Sequence, residues 1–172
     1  AGVRRACLVQ IKGQYDNRYQ SEVVRRHPGR FVSVVHLDAS RPDAEATLER
    51  LVAEGARGLR LLPDDRSPGR DPLAIWKRAA ALGIPVTTGG GSRDLASEDF
   101  EALIRSVPDM ALVLEHLGSD NKPDGEAAPY PLRMRVFDLA RYPNVCIKFH
   151  GLGEFAARAM PVSEPFPFVW PV

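Results

Sequence analysis

The sequence has 172 residues, 44% hydrophobic and 26% charged, with 23 Lys and Arg against 22 Asp and Glu for a formal net charge of +1. A chain of this length can bury one sizeable core, and its balanced charge offers neither a basic stripe for nucleic acid nor an acidic tail. No apolar stretch approaches the roughly 18 to 20 residues of a membrane span, and the opening AGVRRACLVQ lacks a signal peptide's layout, so the expected setting is cytoplasmic, without nucleic-acid or membrane partners.

In chain order, the first strand-like run is ACLVQI from Ala6, followed by a helix in NRYQSEVVRRHP that His27 closes as a C-terminal cap. FVSVVHL from Phe31 is the second strand. RPDAEATLERLVAEG then carries Ala44, Leu48, Leu51 and Val52 at helical spacing, with Gly55 as a natural stop. GLRLLP from Gly58 is the third strand. The loop PDDRSPGRDP follows it, where Asp64, Asp65 and Arg70 read as solvated charges and Arg66 or Arg70 could add to an anion site. The helix of DPLAIWKRAAALG leads to IPVTT from Ile84 and the glycine run TTGGGS, a strand-to-helix loop with a lesser reading as an anion cradle. SEDFEALIRSVP is helical, MALVLEHLG from Met110 is the fifth strand, and GSDNKPDGEAAPYP is a long polar loop. PLRMRVFDLARYP and NVCIKFHG from Asn144 supply the last helix and strand.

Strands recur roughly every 25 to 35 residues, the length of one strand and one crossover helix, and no hairpin signal intervenes. That alternation predicts an α/β fold with a parallel sheet and right-handed crossovers. An open nucleotide-binding sheet would carry a Gly-rich turn after its first strand, and IKGQYDN has no such spacing. The chain enters a strand almost at once and ends in PVSEPFPFVWPV with no later element to cover it. The expectation is a partial (β/α)8 TIM barrel of about six strand–helix units, residues 1–172 forming one domain that lacks the first and last strands.

In such a barrel, side chains alternate inward and outward, and chemistry collects at the carboxyl ends of the strands. In NVCIKFHG, Val145, Ile147 and Phe149 form an apolar set suited to the helix layer, which turns Cys146, Lys148 and His150 inward. The same alternation selects Arg60, Gln10 and His36, and Thr88 and His116 complete the set. Each alone reads as an ordinary core or rim group. Several cationic or titratable groups at one end of successive strands are an expensive way to build a core, and together they point to a site. Arg60 and Lys148 would make an anion pocket, with Arg60 suited to a carboxylate fork. Cys7 and Cys146 form no CxxC pair and read as reduced core thiols.

The segments DNRYQSEVVRRHPGRFVSVVHLD, LVAEGARGLRL, IWKRAAALGIPV, LVLEHLG and NVCIKFHGLGEF together resemble the amidohydrolase-related family of metal-dependent hydrolases with a TIM-barrel fold, over about Gly2 to Pro171. The resemblance implies that the segments are strands two to seven and that His116 is the strand-six histidine, a metal ligand or catalytic acid/base. It also implies a His-x-His pair on strand one and an aspartate on strand eight, neither within this sequence. The strand-five position that often carries a further metal-binding histidine falls in VTTGGG, which has none. That lowers the expectation of a tightly held zinc, leaving either a divalent metal or a metal-free mechanism, and favours the lactonase-like branch. The implied activity is hydrolysis of a carboxylated lactone or a related C–O or C–N bond, acting on a small anionic substrate, in a chain that could form a homo-oligomer. The alternatives are a decarboxylase of aromatic or muconate-type acids on the same scaffold, and an inactive barrel fragment or interaction protein whose open sheet edges pair with another chain.

Overall fold

The computed structural model describes residues 2–118 and 127–149. Its elements run β1 (Ala6–Val9), α1 (Arg18–Arg26), β2 (Phe31–His36), α2 (Ala44–Ala53), β3 (Ala56–Leu61), α3 (Ala74–Ala81), β4 (Val86–Thr88), α4 (Ser92–Leu95), α5 (Glu98–Ser106), β5 (Leu112–Leu114), a turn at His116–Gly118, α6 (Pro131–Asp138), a short 3₁₀ turn (Leu139–Arg141) and β6 (Val145–Ile147). The six parallel strands lie in sequential order β1-β2-β3-β4-β5-β6, the α/β alternation of part of a TIM barrel. The short α4, and the turn at His116–Gly118 that replaces the end of the expected fifth strand, lie outside the elements expected from the sequence. The chain divides into two compact units, one of residues 1–61, 65–87 and 109–111, the other of 62–64, 88–108 and 112–172.

The first unit is built on β2 and β3. Val35, Leu59 and Leu61 are fully buried, as are Leu48 of α2 and Ile75, Trp76 and Ala79 of α3, and α2 packs on both β3 and α3. Each buried Val, Leu or Ile contributes about 1.5–3 kcal/mol, so these few side chains carry much of the unit's stability. The loop after β3 is pinned rather than free. Trp76 Nε1 donates to the Asp65 carbonyl at 2.9 Å, and Ser67 Oγ accepts from the Ile75 amide at 2.9 Å. Gly55 follows α2 at φ +111° with Val24 against its backbone, the stop its position in the sequence predicts.

In the second unit, α5 begins at Ser97, whose hydroxyl accepts from the Phe100 amide, with Glu98, Asp99 and Glu101 in its first turn. It buries Phe100, Leu103 and Ile104. Tyr142 donates to Glu101 at 2.6 Å and Arg141 pairs with the same carboxylate, which ties α5 to the start of β6 and draws Glu101 below the usual carboxylate range, the Tyr142 hydroxyl first and Arg141 second.

Three side-chain expectations are corrected. Cys7 and Cys146 are exposed and not disulfide-bonded, rather than core groups, because both sit on the outermost strands. Phe149, expected in the helix layer, is 62% exposed, because β6 ends at Ile147 and its alternation does not extend that far. Val145 and Ile147, within β6, are half-buried.

Candidate active site

In the first unit the polar groups gather at the carboxyl ends of β2 and β3. His36 and Arg60 are paired in register, so their side chains stand side by side on one face of the sheet. His36 is 2% exposed, and its Nδ1 lies 2.9 Å from the Arg60 carbonyl oxygen. Arg60 Nη1 donates to the Gln10 carbonyl at 2.8 Å, which orients the guanidinium. Two residues that sequence reading passed over hold this arrangement. Asn17, buried at the start of α1, accepts from the His36 amide at 3.2 Å and donates from Nδ2 to the His36 carbonyl at 2.8 Å, pairing with β2 as a neighbouring backbone would. The Tyr15 ring packs on the imidazole with centroids 4.9 Å apart. Burial, then the charges of Asp38 and Asp65, raise the Tyr15 hydroxyl above its ordinary value, so it stays protonated at neutral pH.

Gln10 contributes differently from expectation. Val9 pairs with Val34, so by strand alternation Gln10 falls on the opposite parity from His36. Its side chain is spent in the following loop, donating to the Asp16 carbonyl at 2.7 Å and accepting from the Ile11 amide at 2.9 Å. What it gives the site is its carbonyl.

In the second unit, Thr88, Glu115, His116 and Lys148 occupy the ends of β4, β5 and β6. The Glu115 amide donates to the Thr88 carbonyl at 2.8 Å, the Lys148 amide to Leu114 at 2.8 Å and the Leu117 amide to Lys148 at 3.2 Å. Thr88 is fully buried, and its Oγ1 has no partner among the described residues. Lys148 is exposed and His116 half-buried. The β5–β6 register continues to set Glu115, not His116, beside Lys148, and Glu115 is 2% exposed. Sequence reading missed this buried acid, although its parity with Val113 in LVLEH could have singled it out. His116 departs from strand geometry. It, Leu117 and Gly118 have φ of 48°, 54° and 76°, three successive left-handed residues, two of which carry side chains. Such a turn is costly for non-glycine residues and persists where surrounding structure imposes it, often at functional sites.

The TTGGGS run is no anion cradle. Asp94 of α4 accepts from the Gly91 amide at 3.2 Å, filling the position an anion would take, and a side chain at Gly90 would meet Pro63 at 3.2 Å. His150 lies outside the described residues. Among the described residues no three His, Cys, Asp or Glu side chains converge, so they do not assemble a metal site, and His116 could supply one ligand at most. No helix among them is long and apolar enough to cross a membrane.

Six parallel strands alternating with helices define the class of α/β barrel folds, which place chemistry at the carboxyl ends of their strands. The amidohydrolase family model Amidohydro_2 matches residues 1–171, and the chain belongs to that family. The solved structures it resembles include a protein from Pseudomonas putida assigned as a 2-pyrone-4,6-dicarboxylic acid hydrolase, at 23% identity and TM-score 0.70 over 96% of this chain and 59% of that one. A second, assigned likewise, from Acinetobacter baumannii with citric acid bound, has 18% identity and TM-score 0.71 over 92% and 58%. An amidohydrolase from Burkholderia multivorans with bound zinc has 22% identity and TM-score 0.63 over 87% and 54%. The chain therefore spans somewhat under two thirds of the length of each. A search of curated proteins finds no match.

Proposed function

We propose that this chain forms the substrate-binding and part of the catalytic face of a hydrolase that opens a small carboxylated lactone. One observation carries the reading: Arg60, at the end of β3, is oriented through Nη1 by the Gln10 carbonyl and stands in register with His36, and a guanidinium is the side chain best suited to bind a carboxylate. The family supports hydrolysis, and two structural neighbours assigned to 2-pyrone-4,6-dicarboxylic acid, a lactone with two carboxylates, favour this substrate class.

In this reading Arg60 takes a substrate carboxylate, Lys148 adds a second cation for an anionic group, and the buried Thr88 hydroxyl is a further hydrogen-bonding group. His116 polarises the lactone carbonyl. Water adds its oxygen to the carbonyl carbon, the ring C–O bond breaks, and the ring oxygen leaves with a proton as an alcohol, giving a hydroxy acid. A divalent metal such as zinc, bound where His116 supplies a ligand, would act as a Lewis acid on the same carbonyl. The described residues do not form that site by themselves, and no step here depends on it.

The test is Arg60→Met in the full-length protein, assayed on a carboxylated lactone and on its methyl ester. We expect KM for the acid to rise by about 10-fold or more with little change for the ester. Equal loss on both would remove the carboxylate pocket. Release of CO₂ in place of ring-opening would move the activity to the decarboxylase alternative.

A further inference from the structure

We propose that His36 is a specificity-determining residue of this site: its Nε2 accepts a hydrogen bond from a hydroxyl that the substrate carries close to the carboxylate held by Arg60. The inference rests on the carboxylate reading above and narrows it to hydroxylated carboxylates.

The argument begins with a tautomer. A backbone carbonyl can only accept, so the 2.9 Å approach of His36 Nδ1 to the Arg60 carbonyl places the proton of the neutral ring on Nδ1. Nε2 is then a lone pair, an acceptor and not a donor. The ring cannot readily turn to reverse this. Asn17 pairs with both backbone groups of His36, at 2.8 and 3.2 Å, and the Tyr15 ring packs on the imidazole at 4.9 Å.

Nε2 has no hydrogen-bond partner among the described residues, in a side chain almost wholly withdrawn from solvent. A residue 2% exposed thus carries one unpaired acceptor. The nearby acid Asp38 is no donor to it, since that carboxylate accepts from the Ser40 hydroxyl at 2.6 Å, which lowers it below the usual range. Because His36 and Arg60 are in-register neighbours, their backbones lie about 4.8 Å apart. A hydroxyl on a carbon next to a carboxylate is the substrate group that two neighbouring side chains of this kind, an acceptor and a cation, would read together. A purely structural histidine would need only its Nδ1 bond, and an apolar substrate edge at Nε2 would leave a buried acceptor unpaired.

Citrate and tricarballylate differ by a single hydroxyl and suit a calorimetric test with the full-length protein. Citrate should bind at least about 10-fold more tightly. His36→Asn keeps an amide N–H for the Arg60 carbonyl but has nothing at the Nε2 position, and it should bring the ratio near one by weakening citrate alone. His36→Gln, which returns an acceptor near that position, should restore part of the preference. Tricarballylate binding as tightly as citrate in the wild type, a ratio that needs no variant to fold, would overturn the inference while leaving the carboxylate pocket standing. Equal weakening of both ligands by His36→Asn would reduce His36 to a support for Arg60. If neither polyacid binds and no carboxylated lactone is turned over, the carboxylate reading fails and this inference falls with it.

Discussion

In the first unit side chains bond main-chain groups around the polar residues, and in the second unit amide-to-carbonyl bonds join the strand ends that carry them. Around His36 and Arg60, the Asn17 amide, the imidazole and the guanidinium each bond a main-chain group across strands or from the start of a helix. Around His116, the amides of Glu115, Leu117 and Lys148 link the strand ends, and the His116 backbone lies in a left-handed turn at φ 48°. A side-chain lattice fixes hydrogen-bond polarity, which suits recognition. A strained backbone fixes direction, which suits a group that must meet one reacting atom. The two arrangements should therefore fail differently when single residues are changed.

The largest expected effect lies in the second unit. His116→Asn in the full-length protein should lower kcat by at least about 10²-fold on a lactone substrate, in the range of a lost acid/base or electrostatic group, with KM little changed. Steady-state kinetics decide it, and unchanged turnover would remove His116 from the reaction. Next comes the turn itself. A side chain at Gly118, where φ is +76°, would place its first carbon 2.5 Å from Val136 Cγ1, a contact that must displace α6 or the turn. Gly118→Ala should cost about 3 kcal/mol of stability through combined strain and overpacking, read as a fall in the denaturation midpoint. If the turn is what aims His116, kcat should fall in the protein that remains folded; an unaltered kcat would show that the imidazole finds its place without it.

Much of the architecture was legible because strand and helix periods differ and the chain alternates them cleanly. All six strand segments and five of the helices stand where apolar spacing puts them. Face assignment was less legible, since a shift of one residue reverses it. Gln10 was grouped with His36 by alternation, yet the β1–β2 register separates them, and Lys148 was grouped with His116 where the β5–β6 register sets Glu115 beside it. Exposure at the outermost strands was not legible either. Cys7 and Cys146 lie in apolar runs that read as core, but exposure depends on what lies beside a strand, which its own residues do not encode. The left-handed turn at His116 leaves no mark in LEHLG except its closing glycine.

Asn17 is the sharpest case of a residue whose local meaning misleads. An asparagine at the first position before a helix reads as an N-cap, accepting from an amide of the first turn. Here it makes no such bond, and its amide serves His36 and the Tyr15 carbonyl instead. The two roles predict opposite results for Asn17→Asp. As a cap, aspartate is an equal or better residue, favoured by the positive end of the helix. As a clamp it is a poor one: the Nδ2 donor is lost, and a carboxylate oxygen is set against the His36 carbonyl, leaving a buried acceptor unpaired. The clamp reading predicts a loss of about 2 kcal/mol in urea unfolding, together with a higher KM for carboxylated lactones at nearly constant kcat, because β2 loses its anchor and its His36 bonds the Arg60 carbonyl. A variant as stable as the wild type would mean that β2 holds His36 unaided, and the contrast between side-chain and backbone control would then have to rest on the imidazole and guanidinium bonds alone.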